Sequence, residues 1–184
     1  MKNSGFLLII AVFVFSCSGE TLPKPTPYLK LQYPIATYKK IDTNCPYNFE
    51  ISNLASVVFK NNCWMEVEYP QLKATIYITY REVDNNLEEI LREVDKLTYK
   101  HAVKADVIPD AKTFEYFDKK VFGKLNNVEG NVASNIQFSV TDSVKHVLSG
   151  SLYFYAKPNY DSIIPAIKYL EKDIMHLVET LEWK

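Results

Sequence analysis

Alternation of apolar and polar residues over two neighbouring segments is the pattern that most limits the fold. In "CWMEVEYP" (63–70), Met65, Val67 and Tyr69 lie on one side of an extended chain, with a glutamate between each pair on the other side. The alternation returns in "KATIYITYR" (73–81), after a short connection that contains a proline. A period of two residues over this length predicts two β-strands that are neighbours in a hairpin.

Two later segments change to a helical period. Apolar residues recur at steps of three and four in residues 84–105 and again in residues 161–183. Each segment predicts an amphipathic helix with one apolar stripe. Asp161 is expected to cap the second helix, and Pro165 is tolerated in its first turn. The stripes are Leu87, Ile90, Leu91, Val94, Leu97 and His101, and then Ile163, Ile167, Leu170, Ile174, Leu177, Val178 and Leu181.

Short extended segments predict the remaining strands, and the last three of them are expected to form an antiparallel meander. Strands, a helix, strands and a helix in this order predict a single α+β domain over residues 28–184. It would contain one antiparallel β-sheet with two main helices packed on a face of it. The further strand segments are "YLKLQYP" (28–34), "YKKID" (38–42), "CPYNFEIS" (45–52), "ASVVFK" (55–60), "KKVFGKLNNVEG" (119–130), "ASNIQFSVTD" (133–142) and "KHVLSGSLYFYA" (145–156).

The first sixteen residues, "MKNSGFLLIIAVFVFS", predict a targeting segment. Its ten apolar residues, Phe6 to Phe15, match a signal-peptide core and are too few for a membrane-spanning helix. Ser16 and Cys17 then resemble a bacterial lipoprotein signal, so we expect cleavage before Cys17 and lipidation at Cys17, whose acyl chains would give stable anchoring. An ordinary cleaved signal peptide and a retained anchor helix are the alternatives. Residues 17–27, with three prolines, predict an extended tether.

Beyond Cys17 the chain has two cysteines, Cys45 and Cys63. In the oxidising compartment that an export signal implies, a lone pair of cysteines is expected to form a disulfide. Closing a loop of this size would contribute about 3 kcal/mol if the bridge acts by restricting the unfolded chain. Two buried free thiols are the alternative. A metal pair is disfavoured, because no histidine or aspartate lies at ligand spacing nearby.

Composition and motifs disfavour nucleic-acid binding and catalysis. With 21 basic and 22 acidic residues, the chain predicts no basic surface for nucleic acid or phospholipid headgroups. His101, His146 and His176 fall in different predicted elements, and "SVTDSVKH" (139–146) is interpreted as a turn between strands. A hydrolase would need a nucleophile–base pair, and the sequence has neither a G-x-S-x-G elbow nor a glycine-rich phosphate loop. We therefore expect no enzyme activity, no metal and no cofactor.

Aromatic residues at strand positions are the candidate binding surface. Tyr77, Tyr153, Phe154 and Tyr155 could form one binding face, and the alternative is that half of them simply fill the core. The connection "NNVEGNVAS" (126–134) is the loop most expected to carry function, because loops do so more often than the scaffold.

Six stretches of the chain, in sequence order, resemble the gliding-motility lipoproteins of the GldD family. They cover nearly all of the chain after Cys17, and none is a catalytic signature. In the order of strands and helices the chain is also similar to PsbP/Mog1-type α+β domains. The six stretches are "PKPTPYLKLQYP" (23–34), "CPYNFE" (45–50), "CWMEVEYP" (63–70), "YKHAVKADVI" (99–108), "VEGNVASNIQFSVTDSVKHVLSGSLYF" (128–154) and "DIMHLVETLEWK" (173–184).

The resemblance implies a membrane-anchored, non-enzymatic component needed for surface gliding and for the linked type IX secretion apparatus. It implies partners among other gliding and secretion lipoproteins and membrane proteins. For a lipid-anchored, exported chain we expect a place in the cell envelope, with the domain outside the cytoplasm and facing the periplasm. No residue other than Cys17 carries over. An envelope binding module for a small ligand or glycan is the alternative function. A concave aromatic pocket would favour that alternative, whereas a flat apolar patch would favour a protein partner.

Overall fold

The structure is a computed structural model that describes residues 33–100, 104–155 and 159–184. Within these ranges the two α-helices are α1 (Leu87–Lys100) and α2 (Tyr160–Glu179). The strands there are β1 (Tyr38–Ile41), β2 (Tyr47–Ser52), β3 (Ser56–Phe59), β4 (Met65–Tyr69), β5 (Ala74–Glu82), β6 (Lys112–Tyr116), β7 (Val121–Asn127), β8 (Ser134–Thr141), β9 (His146–Phe154) and β10 (Glu182–Trp183).

The strands form two antiparallel sheets. The larger has seven strands in the order β3-β4-β5-β9-β8-β7-β6, and the smaller has three in the order β1-β2-β10. Buried residues of both sheets and of α2 share one hydrophobic core, so the described chain folds as a single α+β domain. The predicted fold class is confirmed, although the expectation of one sheet is wrong because β1, β2 and β10 pair separately.

The predicted hairpin and meander are both confirmed. Strands β4 and β5 pair with Val67 opposite Ile76, and a short 3-10 turn followed by Lys73 with φ +48° connects them. Strands β7, β8 and β9 follow one another as an antiparallel meander. Strand β9 then pairs with β5 along its whole length, which joins the hairpin to the meander in one sheet.

The two helices cover opposite faces of the larger sheet. Helix α2 packs Leu170 and Ile174 against the face that carries Ile76 and Leu152. Helix α1 lies over β8 and β9 on the other face, and its Glu93 pairs with Arg81 of that face. Every residue of β8 is buried, because this strand is covered on both sides. The expectation that both helices share one face is therefore wrong.

Several predicted details differ in the structure. In the predicted stripe of α1, Leu97 is 58 % exposed, while Thr98 is buried in its place. Helix α2 begins at Tyr160 after an N-cap at Asn159, which puts Pro165 in its second turn rather than its first. Sequence reasoning missed β6, whose alternation spans only four residues, and β10, which has only two residues.

A disulfide joins the two sheets. Cys45 lies just before β2 in the smaller sheet, and Cys63 lies in the turn before β4 in the larger one. Their Cα atoms are 5.5 Å apart, a normal separation for a bridged pair. The Tyr47 hydroxyl donates a hydrogen bond of 2.5 Å to the Cys63 carbonyl beside the bridge. The bridge therefore fixes the smaller sheet against the larger one.

Candidate functional site: an aromatic groove

Polar side chains line the second face of the two central strands. On β5 the residues that alternate with the core positions include Tyr77 and Thr79, and on β9 they include Ser149 and Ser151. Thr79 lies directly opposite Ser149, and their hydroxyl oxygens are 2.7 Å apart in a hydrogen bond. The middle of this sheet face is therefore a strip of hydroxyl groups.

Aromatic rings surround this strip and form a groove, which we call the aromatic groove. Its volume is about 510 Å³, and Leu97 of α1 closes one side. The Tyr77 and Tyr153 rings meet edge to face, with centroids 5.5 Å apart and planes at 84°. The hydroxyls of Tyr77 and Tyr155 share a hydrogen bond of 2.6 Å. The residues that line the groove are Tyr77, Thr79, Leu97, Ser149, Ser151, Tyr153, Phe154 and Tyr155.

The described wall of the groove is uncharged, and two carboxylates of β4 lie near it, one of which is paired with Lys60. None of these eight lining side chains from the described part of the chain is charged. The hydrogen bond with Tyr155 and burial together raise the pKa of Tyr77 to about 12. The carboxylates of Glu66 and Glu68 on neighbouring β4 add to that rise, because they disfavour a phenolate beside them.

The structure brings all four predicted aromatic residues together. Tyr77 and Tyr153 are partly exposed, and Tyr155 is 61 % exposed. Phe154 lines the groove and also packs partly against the core. The binding-face interpretation therefore fits better than the core-filling alternative. Sequence reasoning missed Leu97, which it assigned to the buried stripe of α1.

The loop at residues 126–134 lies apart from the groove. It helps to line a separate cavity of about 230 Å³, with Asn127 and Glu129 among the lining residues. Asn135 donates hydrogen bonds of 2.9 Å and 3.2 Å to the carbonyls of Val128 and Gly130. These bonds fix the loop in one conformation, and none of its residues lines the aromatic groove.

The segment "SVTDSVKH" forms the predicted turn, between β8 and β9. The Asp142 carboxylate accepts hydrogen bonds of 2.8–2.9 Å from the backbone N–H groups of Val144, Lys145 and His146. Burial raises the pKa of Asp142, but these three bonds outweigh it and the pKa is lowered. His146 Nδ1 lies 2.8 Å from the Tyr80 hydroxyl. These polar side chains therefore build the turn.

A second polar cluster lies beneath α2, on the other side of the molecule. Asp173 is only 3 % exposed, and its Oδ1 accepts a hydrogen bond of 3.0 Å from the Tyr38 hydroxyl. Burial raises the pKa of Asp173, and hydrogen bonds from nearby hydroxyls oppose this rise only in part. His176 stacks on Tyr38 with ring centroids 3.5 Å apart, and its Nε2 lies 2.8 Å from Glu50 Oε2. The cluster joins β1 and β2 to α2.

The remaining predictions concern a metal site, membrane-spanning helices and residues outside the described ranges. The described residues contain no group of three or more His, Cys, Asp or Glu side chains placed to hold a metal ion. In the same ranges, neither helix is long and apolar enough to cross a bilayer. Cys17, the predicted signal peptide (1–16), the tether (17–27) and His101 lie outside the described residues.

Comparisons with known proteins identify the family. A search of curated proteins gives no match. The family described as gliding motility lipoprotein GldD matches residues 18–183, which is nearly the whole chain. The match starts directly after Cys17 and includes both sheets, both helices and the aromatic groove. The chain therefore belongs to the gliding motility lipoprotein GldD family.

Proposed function

We propose that this chain is a membrane-anchored, non-enzymatic scaffold or assembly factor of the gliding machinery and of the linked type IX secretion apparatus. The observation that carries the proposal is the family match over residues 18–183. A gliding motility lipoprotein is associated with the cell envelope, and its partners belong to membrane-associated machinery. We propose that these partners include other gliding and secretion lipoproteins and membrane proteins.

The proposed anchor is a lipid on Cys17. Residues 1–16 would be removed as a signal peptide, and residues 17–27 would connect the anchor to a folded domain that begins at residue 28. The start of the family match at residue 18 supports this division, because the matched region begins with the residue after the proposed lipidation site. The domain would then face the periplasm, held near the membrane by several acyl chains.

The proposed docking surface is the outer edge of β3. This strand is the last of its sheet, and among the described residues it pairs only with β4. Its side chains are uncharged, and Phe59 at its end is 53 % exposed. An extended segment of a partner could add to this edge through backbone hydrogen bonds. At the opposite edge, β6 carries Lys112 and Glu115, charges of the kind that discourage strand addition.

The test is a crosslink and pull-down of the tagged full-length protein from cells. The wild type is expected to recover gliding or secretion proteins, and Cys17→Ala is expected to recover none of them. Phe59→Lys adds a charge at the β3 edge and should lose the partners, whereas Thr113→Lys at the β6 edge should keep them. If the wild type recovers no protein partner, the scaffold proposal fails. If Phe59→Lys recovers the same partners as the wild type, the assignment of the docking surface fails alone.

Binding of a small ligand or glycan is a second candidate function. The specific observation in its favour is the aromatic groove, an open site of about 510 Å³ that combines aromatic rings with hydroxyl groups. This combination is typical of ligand pockets, which are mostly apolar and contain a few polar groups that orient the ligand.

A further inference from the structure

We propose that the aromatic groove binds a short, neutral oligosaccharide. This inference rests on the second proposed function, ligand binding, and adds the chemical class of the ligand. The volume of about 510 Å³ falls within the range of about 300–1,000 Å³ that is usual for ligand sites.

The aromatic rings provide the apolar contacts that a sugar ring needs. One face of a pyranose ring consists of C–H groups, which pack against aromatic side chains. Tyr153 and Tyr155 offer such surfaces at the wall of the groove. The hydrogen bond between the hydroxyls of Tyr155 and Tyr77 fixes the exposed Tyr155 ring, so little side-chain freedom is lost when a ligand binds.

The floor of the groove requires a polar ligand. Thr79, Ser149 and Ser151 present hydroxyl groups, each able to donate one hydrogen bond and accept two. The bond between Thr79 and Ser149 uses only part of this capacity. An acyl chain over the floor would remove these hydroxyls from water without replacing their hydrogen bonds, which is costly. Sugar hydroxyls can replace them.

The charges of the described residues around the groove favour a neutral ligand. Among the described residues, the eight side chains that line the groove include no cation to pair with a phosphate or a carboxylated sugar. Glu66 and Glu68 on neighbouring β4 add to the rise in the pKa of Tyr77. Glu66 is paired with Lys60 at 3.2 Å, so Glu68 is the carboxylate of the two that would disfavour an anion in the groove. The same eight described side chains include no carboxylate, so a cation would find no direct partner among them. A neutral, hydroxyl-rich ligand fits both conditions.

The test is saturation-transfer difference NMR on the full-length protein in detergent. The neutral probes are cellotriose, maltotriose and the N-acetylglucosamine trimer, and the acidic probe is a hyaluronan tetrasaccharide. At least one neutral probe is expected to bind with a Kd of about 1 mM, as an open site on the protein surface allows. Tyr153→Ala and Tyr155→Ala should each weaken binding about tenfold, because each removes an aromatic contact. Phe117→Ala changes an exposed aromatic residue outside the groove and should have no effect.

Three results would overturn the inference. If no neutral probe shows saturation transfer while the acidic probe does, the groove binds a ligand of another class. If none of the probes binds, ligand binding fails together with its class. If a neutral probe binds but neither tyrosine variant weakens it, the site lies elsewhere. The pull-down of protein partners is independent of all three results, so the scaffold proposal is tested separately.

Discussion

Replacing Gly150 with alanine tests how the core of the larger sheet is packed. Gly150 lies on β9, directly opposite Phe138 on β8, whose ring is only 1 % exposed. A Cβ atom at Gly150 would lie 2.2 Å from Cε1 and 2.3 Å from Cζ of that ring. Carbon atoms in contact are normally about 3.5–4.0 Å apart, so the ring would have to move by more than 1 Å.

Two effects of opposite sign decide the outcome. Overpacking a well-filled core costs about 1–3 kcal/mol, and the size of this overlap favours the upper part of that range. Alanine also lowers the conformational entropy of the unfolded chain, and this effect stabilises the folded state by about 0.4–1 kcal/mol. We therefore expect Gly150→Ala to lower the free energy of unfolding by about 2 kcal/mol, or Tm by about 4–8 °C for a chain of this size. Urea unfolding, followed by the fluorescence of Trp64 and Trp183, measures this loss of unfolding free energy. The dependence of that free energy on urea concentration, the m-value, should stay unchanged.

The control is the same change in a Phe138→Leu background. Leucine lacks the Cε and Cζ atoms that the new Cβ would meet, so Gly150→Ala should cost little there. The difference between the two backgrounds is the interaction energy between the two positions. An equal loss in both backgrounds would refute the packing argument, because the cost would then come from the strand backbone. No loss in the wild-type background would refute it as well.

Two further predictions concern stability. The double variant Cys45→Ala/Cys63→Ala should lose about 3 kcal/mol of unfolding free energy. Reducing the disulfide of the wild type should cause a loss of the same size. A reduced wild type as stable as the oxidised protein would contradict the prediction. Burial raises the pKa of Asp173 in the folded protein above its ordinary value of 3.8. The folded state therefore favours the protonated carboxyl group. The stability that this group contributes is fully present below pH 3.8 and is lost as the pH rises through the pKa of the folded state. Asp173→Asn keeps an acceptor for Tyr38, so it should be more stable than the wild type at pH 7, and its advantage should be smaller at pH 3.5. Urea unfolding at pH 7 and pH 3.5 measures this. An equal difference in stability at the two pH values would contradict the argument.

Sequence periodicity predicts the elements of this fold better than their arrangement. Strands β4, β5, β8 and β9 alternate clearly, and α2 carries a long apolar stripe, so their positions follow from local pattern. The second sheet pairs β1 with β2, and β2 in turn with β10, at the far end of the chain. Two residues are too few to give a periodic signal, so no local pattern could show this pairing.

The exposure of Leu97 shows a similar limit. Its spacing from Val94 and Ile90 is helical, and spacing alone assigns it to the buried stripe. The structure buries Thr98 instead and leaves Leu97 at the border of the groove. The position of α1 over β8 and β9 decides which of the two is buried, and this position depends on contacts far apart in sequence. The four aromatic residues could be predicted as candidates, because each is a large ring at a strand position.

The groove exists because the sheet is wider than one helix. Seven strands at about 4.8 Å spacing span roughly 30 Å, whereas a helix is about 10 Å wide and covers two strands. Helix α1 lies over β8 and the first part of β9, so the Tyr77–Thr79 part of β5 and Ser149 and Ser151 of β9 stay open beside it. Along β5, Ile76 and Ile78 face the core while Tyr77 and Thr79 face the groove. The alternation that predicts the strand thus also determines the groove, because each second residue belongs to the face that α1 leaves open.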